Sequence, residues 1–150
     1  MLWLQPCCVH WGLAARYYAL TGKPLGVTGE VAELAAAELL GLELCTARTA
    51  GFDAWNKAAS PKRRVQIKGR AVDPADRYRG RCAAIKVGDL ADDVVLVLLD
   101  RTTFMPLEIW LASEADVAAW LAATGSKARY ERNAMGIAQF KSIADKIWSA

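Results

Sequence analysis

Histidine occurs once in the 150 residues, at position 10, and cysteine four times, at positions 7, 8, 45 and 82, with no C-x-x-C pair. That scarcity argues against a zinc finger or a disulfide framework, and it makes a reduced, cytoplasmic setting the expectation. Cys7, Cys8 and His10 stand near one another, as a metal site or a Cys/His pair would require. Adjacent cysteines chelate one ion poorly, however, and no second ligand pair follows, so the favoured reading is small apolar residues at a helix start. Long apolar runs are missing too: "VVLVLL" at 94–99 is far shorter than the roughly 20 residues a membrane-spanning helix needs. The opening "MLWLQPCCVHWG" lacks a basic leader and carries Pro6 and His10, so a secretory signal is not expected. Repeats and low-complexity tracts are absent.

What is present is a chain that is 54% hydrophobic and 23% charged, the composition and length of one domain, 1–150, around a single core. The net charge of +3 is unevenly placed. Between Lys62 and Lys86 lie Lys62, Arg63, Arg64, Lys68, Arg70, Arg77, Arg79, Arg81 and Lys86 against only Asp73 and Asp76, whereas 28–53 is acidic, with Glu30, Glu33, Glu38, Glu43 and Asp53 against Arg48. A basic stretch beside a small acidic cluster suits a phosphate backbone held around a divalent cation; a solvated surface loop gives the same pattern.

Periodicity places these residues on elements. "VHWGLAARYYALTG" has helical spacing and stops at Gly22 and Pro24. "TGEVAELAAAELLG" predicts a second helix, with Thr28 as N-cap, a stripe of Val31, Leu34, Ala35 and Leu39, and Gly41 as its stop. Short strands are expected over 42–47, 50–56 and 63–69, the last two joined as a hairpin around Ser60 and Pro61. The segment 72–92 carries no clear pattern. "DVVLVLLD" at 93–100 has the continuous apolar character of a buried strand, and "FMPLEIWLA" at 104–112 follows as its hairpin partner, pushed towards an edge by Pro106. Ser113 caps a helix to about Ala123, and a last amphipathic helix presents Ile137, Phe140, Ala144 and Ile147 on one face.

Within this order, "RRVQIKGR" at 63–70 sets Gln66 and Lys68 two apart on a strand and therefore on one face. Asp53 on the neighbouring hairpin strand meets Gln66 across the ladder if the register permits, and Glu30, in the first turn of the second helix, approaches from above. Two carboxylates, an amide oxygen and an ammonium suit phosphodiester hydrolysis. Mg²⁺ takes hard oxygen ligands, here Asp53 and the Gln66 amide, with Glu30 fixing a metal-bound water, while Lys68 orients or deprotonates the attacking water and offsets phosphorane charge.

The segments "GE" at 29–30, "AGFDA" at 50–54 and "VQIKGR" at 65–70 resemble the PD-(D/E)XK phosphodiesterase superfamily, and look most like its Mrr-type branch, in which glutamine replaces the usual acid of the strand motif. The resemblance implies an α/β (α+β) restriction-endonuclease-like fold, a mixed β-sheet flanked by helices, with a motif core over about 28–112. It implies Asp53 as the metal-binding aspartate, Gln66 in the place of the acid, Lys68 as the catalytic lysine and Glu30 as the helix glutamate. It also implies a Mg²⁺- or Mn²⁺-dependent endonuclease cutting DNA.

Nucleic-acid contacts are then expected from Lys62, Arg63, Arg64, Arg70, Arg77, Arg79 and Arg81, and from Lys127, Arg129 and Arg132, which with Lys141 lie near Tyr130 and Phe140. An ordinary helix with a solvated basic face accounts for that second group equally well. Six tryptophans, Trp3, Trp11, Trp55, Trp110, Trp120 and Trp148, read mainly as core. A chain of this length has little room for a separate reading domain, so a homodimer or a recruiting partner protein is expected with DNA cleavage. The other reading is a non-catalytic module, a degenerate nuclease fold that binds nucleic acid or protein.

Overall fold

The structure, a computed structural model, describes residues 5–23, 25–46, 51–76, 80–123 and 135–150, with side chains in the first helix from residue 12 onward. A glycine shows how its layers meet. Gly69 lies where a Cβ would strike the Ala32 side chain and come within 2.8 Å of the Thr28 carbonyl oxygen, so the helix over Thr28–Leu40 rests directly on the strand Arg63–Val72. Only a residue without a side chain permits that approach.

Around this contact the elements run α1 (Gln5–Thr21), α2 (Thr28–Leu40), β1 (Glu43–Leu44), β2 (Ala54–Asn56), β3 (Arg63–Val72), β4 (Asp93–Asp100), β5 (Pro106–Ser113), α3 (Glu114–Ala123), α4 (Ile137–Ser142) and β6 (Asp145–Ser149), with one 3-10 turn at Pro74–Asp76. The six strands form one sheet in sequence order. Every neighbouring pair is antiparallel except β3 and β4, which run parallel and are joined by the long crossover that carried no sequence pattern. The fold is thus α+β, a mixed sheet with helices packed against it.

Residues Asp93 to Leu99 of β4 are all buried, because both faces of the strand are covered. Val95, Val97 and Leu99 pack with Val65, Ile67 and the α2 residues Val31, Ala32, Ala35 and Ala36. On the other face Val94, Leu96 and Leu98 pack with Val117 and Leu121 of α3, Ile137 and Phe140 of α4, and Ile85 of the crossover. Among the described residues no helix is long and apolar enough to cross a membrane.

The β2–β3 hairpin, the Gly41 stop and the Ser113 cap stand as expected: Gly41 adopts a left-handed φ of 66°, and Ser113 Oγ accepts the Asp116 N–H at 3.1 Å. Four expectations are corrected. Residue Val27, not Thr28, occupies the N-cap of α2, with no side-chain cap. The buried stripe of α2 uses Ala32 and Ala36 in place of Leu34 and Leu39, because the close approach at Gly69 admits only small side chains there. Pro106 does not mark an edge: β5 lies between β4 and β6, and Pro106 is its first residue, opposite Leu99 beside a register shift, where the missing N–H breaks no regular ladder. The last amphipathic helix ends at Ser142; Ile137 and Phe140 are buried on it, but Ile147 is exposed on β6, which pairs with the otherwise open side of β5.

Candidate active site at the end of β2

Antiparallel pairing of Ala54 with Val65 puts Asp53 opposite Gln66, so the register expected from sequence is the one adopted. Regular β2 begins only at Ala54, and the Asp53 side chain takes over the ladder: its Oδ2 accepts the Ile67 N–H at 2.7 Å while its own N–H donates to the Val65 carbonyl at 2.9 Å. Oδ1 accepts no hydrogen bond among the described residues. Gly51, two residues earlier, has a φ of 88°, and a Cβ there would lie 2.7 Å from that of Leu90, so the loop before Asp53 is held against the end of the β3–β4 crossover.

Gly51, Phe52, Asp53, Gln66, Lys68 and Lys86 line one small polar cavity of about 60 Å³. Lys68 is half-buried and makes no hydrogen bond or close ion pair among the described residues. Burial lowers its pKa, and the neighbouring Lys86 ammonium adds to that shift, against the opposing pull of Asp53 and Glu33. Burial also raises the pKa of Glu33, and the like charges of Asp53 and Glu30 raise it further, with Lys68 opposing. The charge of Asp53 thus acts on both Glu33 and Lys68.

Gln66 is 2% exposed, and each end of its amide makes one hydrogen bond to the Lys86 backbone. Nε2 donates to the Lys86 carbonyl at 2.9 Å, and Oε1 accepts the Lys86 N–H at 2.9 Å. Reversing the amide would set donor against donor and acceptor against acceptor, so its orientation follows from its partners.

The sequence expectations divide here. Asp53, Gln66 and Lys68 come together. Glu30 is exposed in the first turn of α2 and does not line this cavity; its charge acts on Glu33, which lies next to the Ala32 contact with Gly69. The sequence reading missed Glu33 and Lys86 as members of the site. Glu33 carried a usable signal, since it follows Glu30 by three residues and so shares its side of α2. Among the described residues no three acidic, cysteine or histidine side chains cluster as a metal centre. The carboxylate that lines the cavity is Asp53, with Oδ1 open, and Glu33 is near enough for their charges to repel; this hard, sparse set would fit a Mg²⁺ that keeps most of its waters.

The basic residues divide as well. Arg63 is a bidentate partner of buried Asp93, with Nε–Oδ2 at 2.5 Å and Nη2–Oδ1 at 2.6 Å. Arg64 pairs with Asp92 and Asp89, each at 3.1 Å. Both arginines are thus committed to pinning β3 to the start of β4. Lys62, Arg70 and Arg81 are exposed and make no ion pair among the described residues. Arg77, Arg79, Lys127, Arg129 and Arg132 lie outside the described residues. Phe140 offers no stacking surface, being fully buried, and Lys141 Nζ is bound to Glu108 at 2.7 Å and sits 4.9 Å from the centre of the Trp110 ring. Cys82 is a buried free thiol whose pKa burial raises to about 11, far from a reactive thiolate.

A larger cleft of about 430 Å³ lies elsewhere, lined by Arg63, Asp89, Asp92 and Glu114 among others. Its charged groups are already paired internally, so its size is no guide to chemistry. No protein-family model matches the chain, and no curated protein matches it either.

Proposed function

We propose that the chain is a metal-dependent phosphodiesterase that cleaves DNA, with the PD-(D/E)XK arrangement that "AGFDA" and "VQIKGR" resemble. One observation carries the reading: Asp53, Gln66 and Lys68 line a single polar cavity at the end of β2. The order of a helix, three antiparallel strands, a crossover and a parallel strand, in a mixed sheet flanked by helices, agrees with it. Asp53 Oδ1 and the Glu33 carboxylate would hold Mg²⁺ or Mn²⁺, which supplies Lewis-acid charge at the scissile phosphate. Lys68, half-buried with a lowered pKa, has its neutral amine within easier reach than a surface lysine and is placed to orient the attacking water or accept its proton. As an ammonium, it offsets charge on the phosphorane.

The test is a nicking assay on supercoiled plasmid with Mg²⁺ or Mn²⁺. Wild type should nick and Lys68→Ala should not, with folding and DNA affinity retained in the variant. Cleavage kept by purified Lys68→Ala would overturn the reading. A second reading, a non-catalytic nucleic-acid-binding module, is favoured by the absence of a three-acid cluster among the described residues and by the engaged Gln66 amide. It requires salt-dependent DNA binding without nicking.

A further inference from the structure

Glutamine in place of an acid at position 66 has a structural reason. The Gln66 side chain pairs with Lys86 as a peptide unit would, through one donor and one acceptor, each bond 2.9 Å long. A glutamate here would keep the acceptor that meets the Lys86 N–H, but would turn its second oxygen, with no proton to give, towards the Lys86 carbonyl. In a position that is 2% exposed, two facing acceptors are costly. The position therefore selects an amide for its N–H.

That pairing has a chemical consequence. The crossover around Lys86 is irregular, with no helix or strand of its own from Cys82 to Val87, and Gln66 is the side chain that binds Lys86 to the sheet. The Lys86 side chain is exposed yet lines the cavity of Asp53 and Lys68. It thus offers an accessible ammonium beside the cavity, while Lys68 is the half-buried one.

We propose, resting on the phosphodiesterase reading, that Lys86 is a second phosphate-binding cation of this site and that Gln66 is its positioning residue, not a metal ligand. Lys68 faces the attacking water, and Lys86 contacts a non-bridging oxygen of the scissile or adjacent phosphate. The amide at 66 trades a metal-binding charge for a fixed phosphate contact.

The experiment is a double-mutant cycle read as the affinity of a short DNA duplex in EDTA, with hydrogen exchange at the Lys86 amide as a second readout. Lys86→Ala leaves the backbone pairing intact and should weaken binding roughly fivefold, the scale of a single phosphate contact at moderate salt. Lys86→Arg should restore most of it. Gln66→Glu should weaken binding to a similar degree and expose the Lys86 amide to exchange. Adding Lys86→Ala to Gln66→Glu should cost nothing more.

Independent, multiplying losses in the double variant would overturn the inference. So would tighter Mn²⁺ binding in Gln66→Glu with DNA affinity unchanged, which would make position 66 a metal ligand, and so would absence of wild-type binding. Should Gln66→Glu fail to fold, Gln66→Met removes the pairing without adding charge and takes its place in the cycle. Wild-type protein that binds with this coupling but does not nick plasmid would sink the phosphodiesterase reading and still support the paired roles of Gln66 and Lys86.

Discussion

The Asp53 carboxylate accepts the Ile67 N–H at 2.7 Å, so the acid at the centre of the candidate site is also the last rung of the β2–β3 ladder. Oδ2 serves the strand, and Oδ1, which accepts no hydrogen bond among the described residues, is left for the proposed metal. The two roles should separate by substitution. Asp53→Asn can keep an oxygen on the Ile67 N–H while losing the charge; Asp53→Ala loses both and leaves a strand donor unpaired. In urea denaturation, Asp53→Ala should lose about 2 kcal/mol and Asp53→Asn less than about 1 kcal/mol. Both should abolish metal-dependent nicking and the heat of Mn²⁺ binding. Wild-type metal binding in Asp53→Asn would remove Asp53 from the metal site.

Glu33 and Lys68 make stability depend on pH, with signs fixed by their shifts. The Glu33 pKa is raised above its ordinary 4.5, so between 4.5 and the folded value the native chain holds more protons than the unfolded one, and stability falls as pH rises through that window. The Lys68 pKa is lowered from its ordinary 10.5, so between the folded value and 10.5 the unfolded chain holds more protons, and stability rises with pH there. Glu33→Gln should therefore be more stable than wild type at neutral pH and should flatten the acid-side slope. Millimolar Mg²⁺ should stabilise wild type more than Glu33→Gln, because a bound cation relieves the same repulsion. Urea midpoints across pH, with and without Mg²⁺, read both effects; a Glu33→Gln protein less stable than wild type at neutral pH would contradict them.

The parts of this site that can be read from sequence are those set by local periodicity. Alternation in "VQIKG" fixes Gln66 and Lys68 on one face, and the short hairpin fixes Asp53 opposite Gln66, since an antiparallel register follows from its turn. Lys86 was hidden because it lies in a crossover whose conformation is set by tertiary bonds to Gln66 and Glu114 rather than by any pattern of its own. Arg63 and Arg64 misled for a related reason: local charge counting cannot see that their partners, Asp92 and Asp93, stand about 30 residues away in sequence but adjacent in the parallel pair. Ile137, Phe140, Ala144 and Ile147 fit a helical period, but pairing along β5 overrides it in the C-terminal strand.

The same crossover is held at its far end by Glu114, whose buried carboxylate accepts three backbone N–H groups, from Gly88 at 2.9 Å and Asp89 at 2.6 Å on one oxygen and from Ala91 at 2.7 Å on the other. Only an ionised carboxylate offers acceptors on both sides; an amide would turn its NH₂ towards at least one of these donors. Glu114→Ala, which leaves all three N–H groups without their acceptor, should therefore cost about 3 kcal/mol in urea denaturation, and Glu114→Gln about 1–2 kcal/mol, because its NH₂ would face the buried Ala91 N–H while its oxygen keeps the other two. Since Leu90 of this loop packs where a Gly51 Cβ would sit, loosening it should reach the loop that carries Asp53. Exchange of the Gly88, Asp89 and Ala91 amides should accelerate first, and Mn²⁺ affinity should fall in parallel although Glu114 lines a different cavity. Faster exchange at these amides with Mn²⁺ binding unchanged would mean that the two loops move independently, and that the site depends on the β2–β3 hairpin alone.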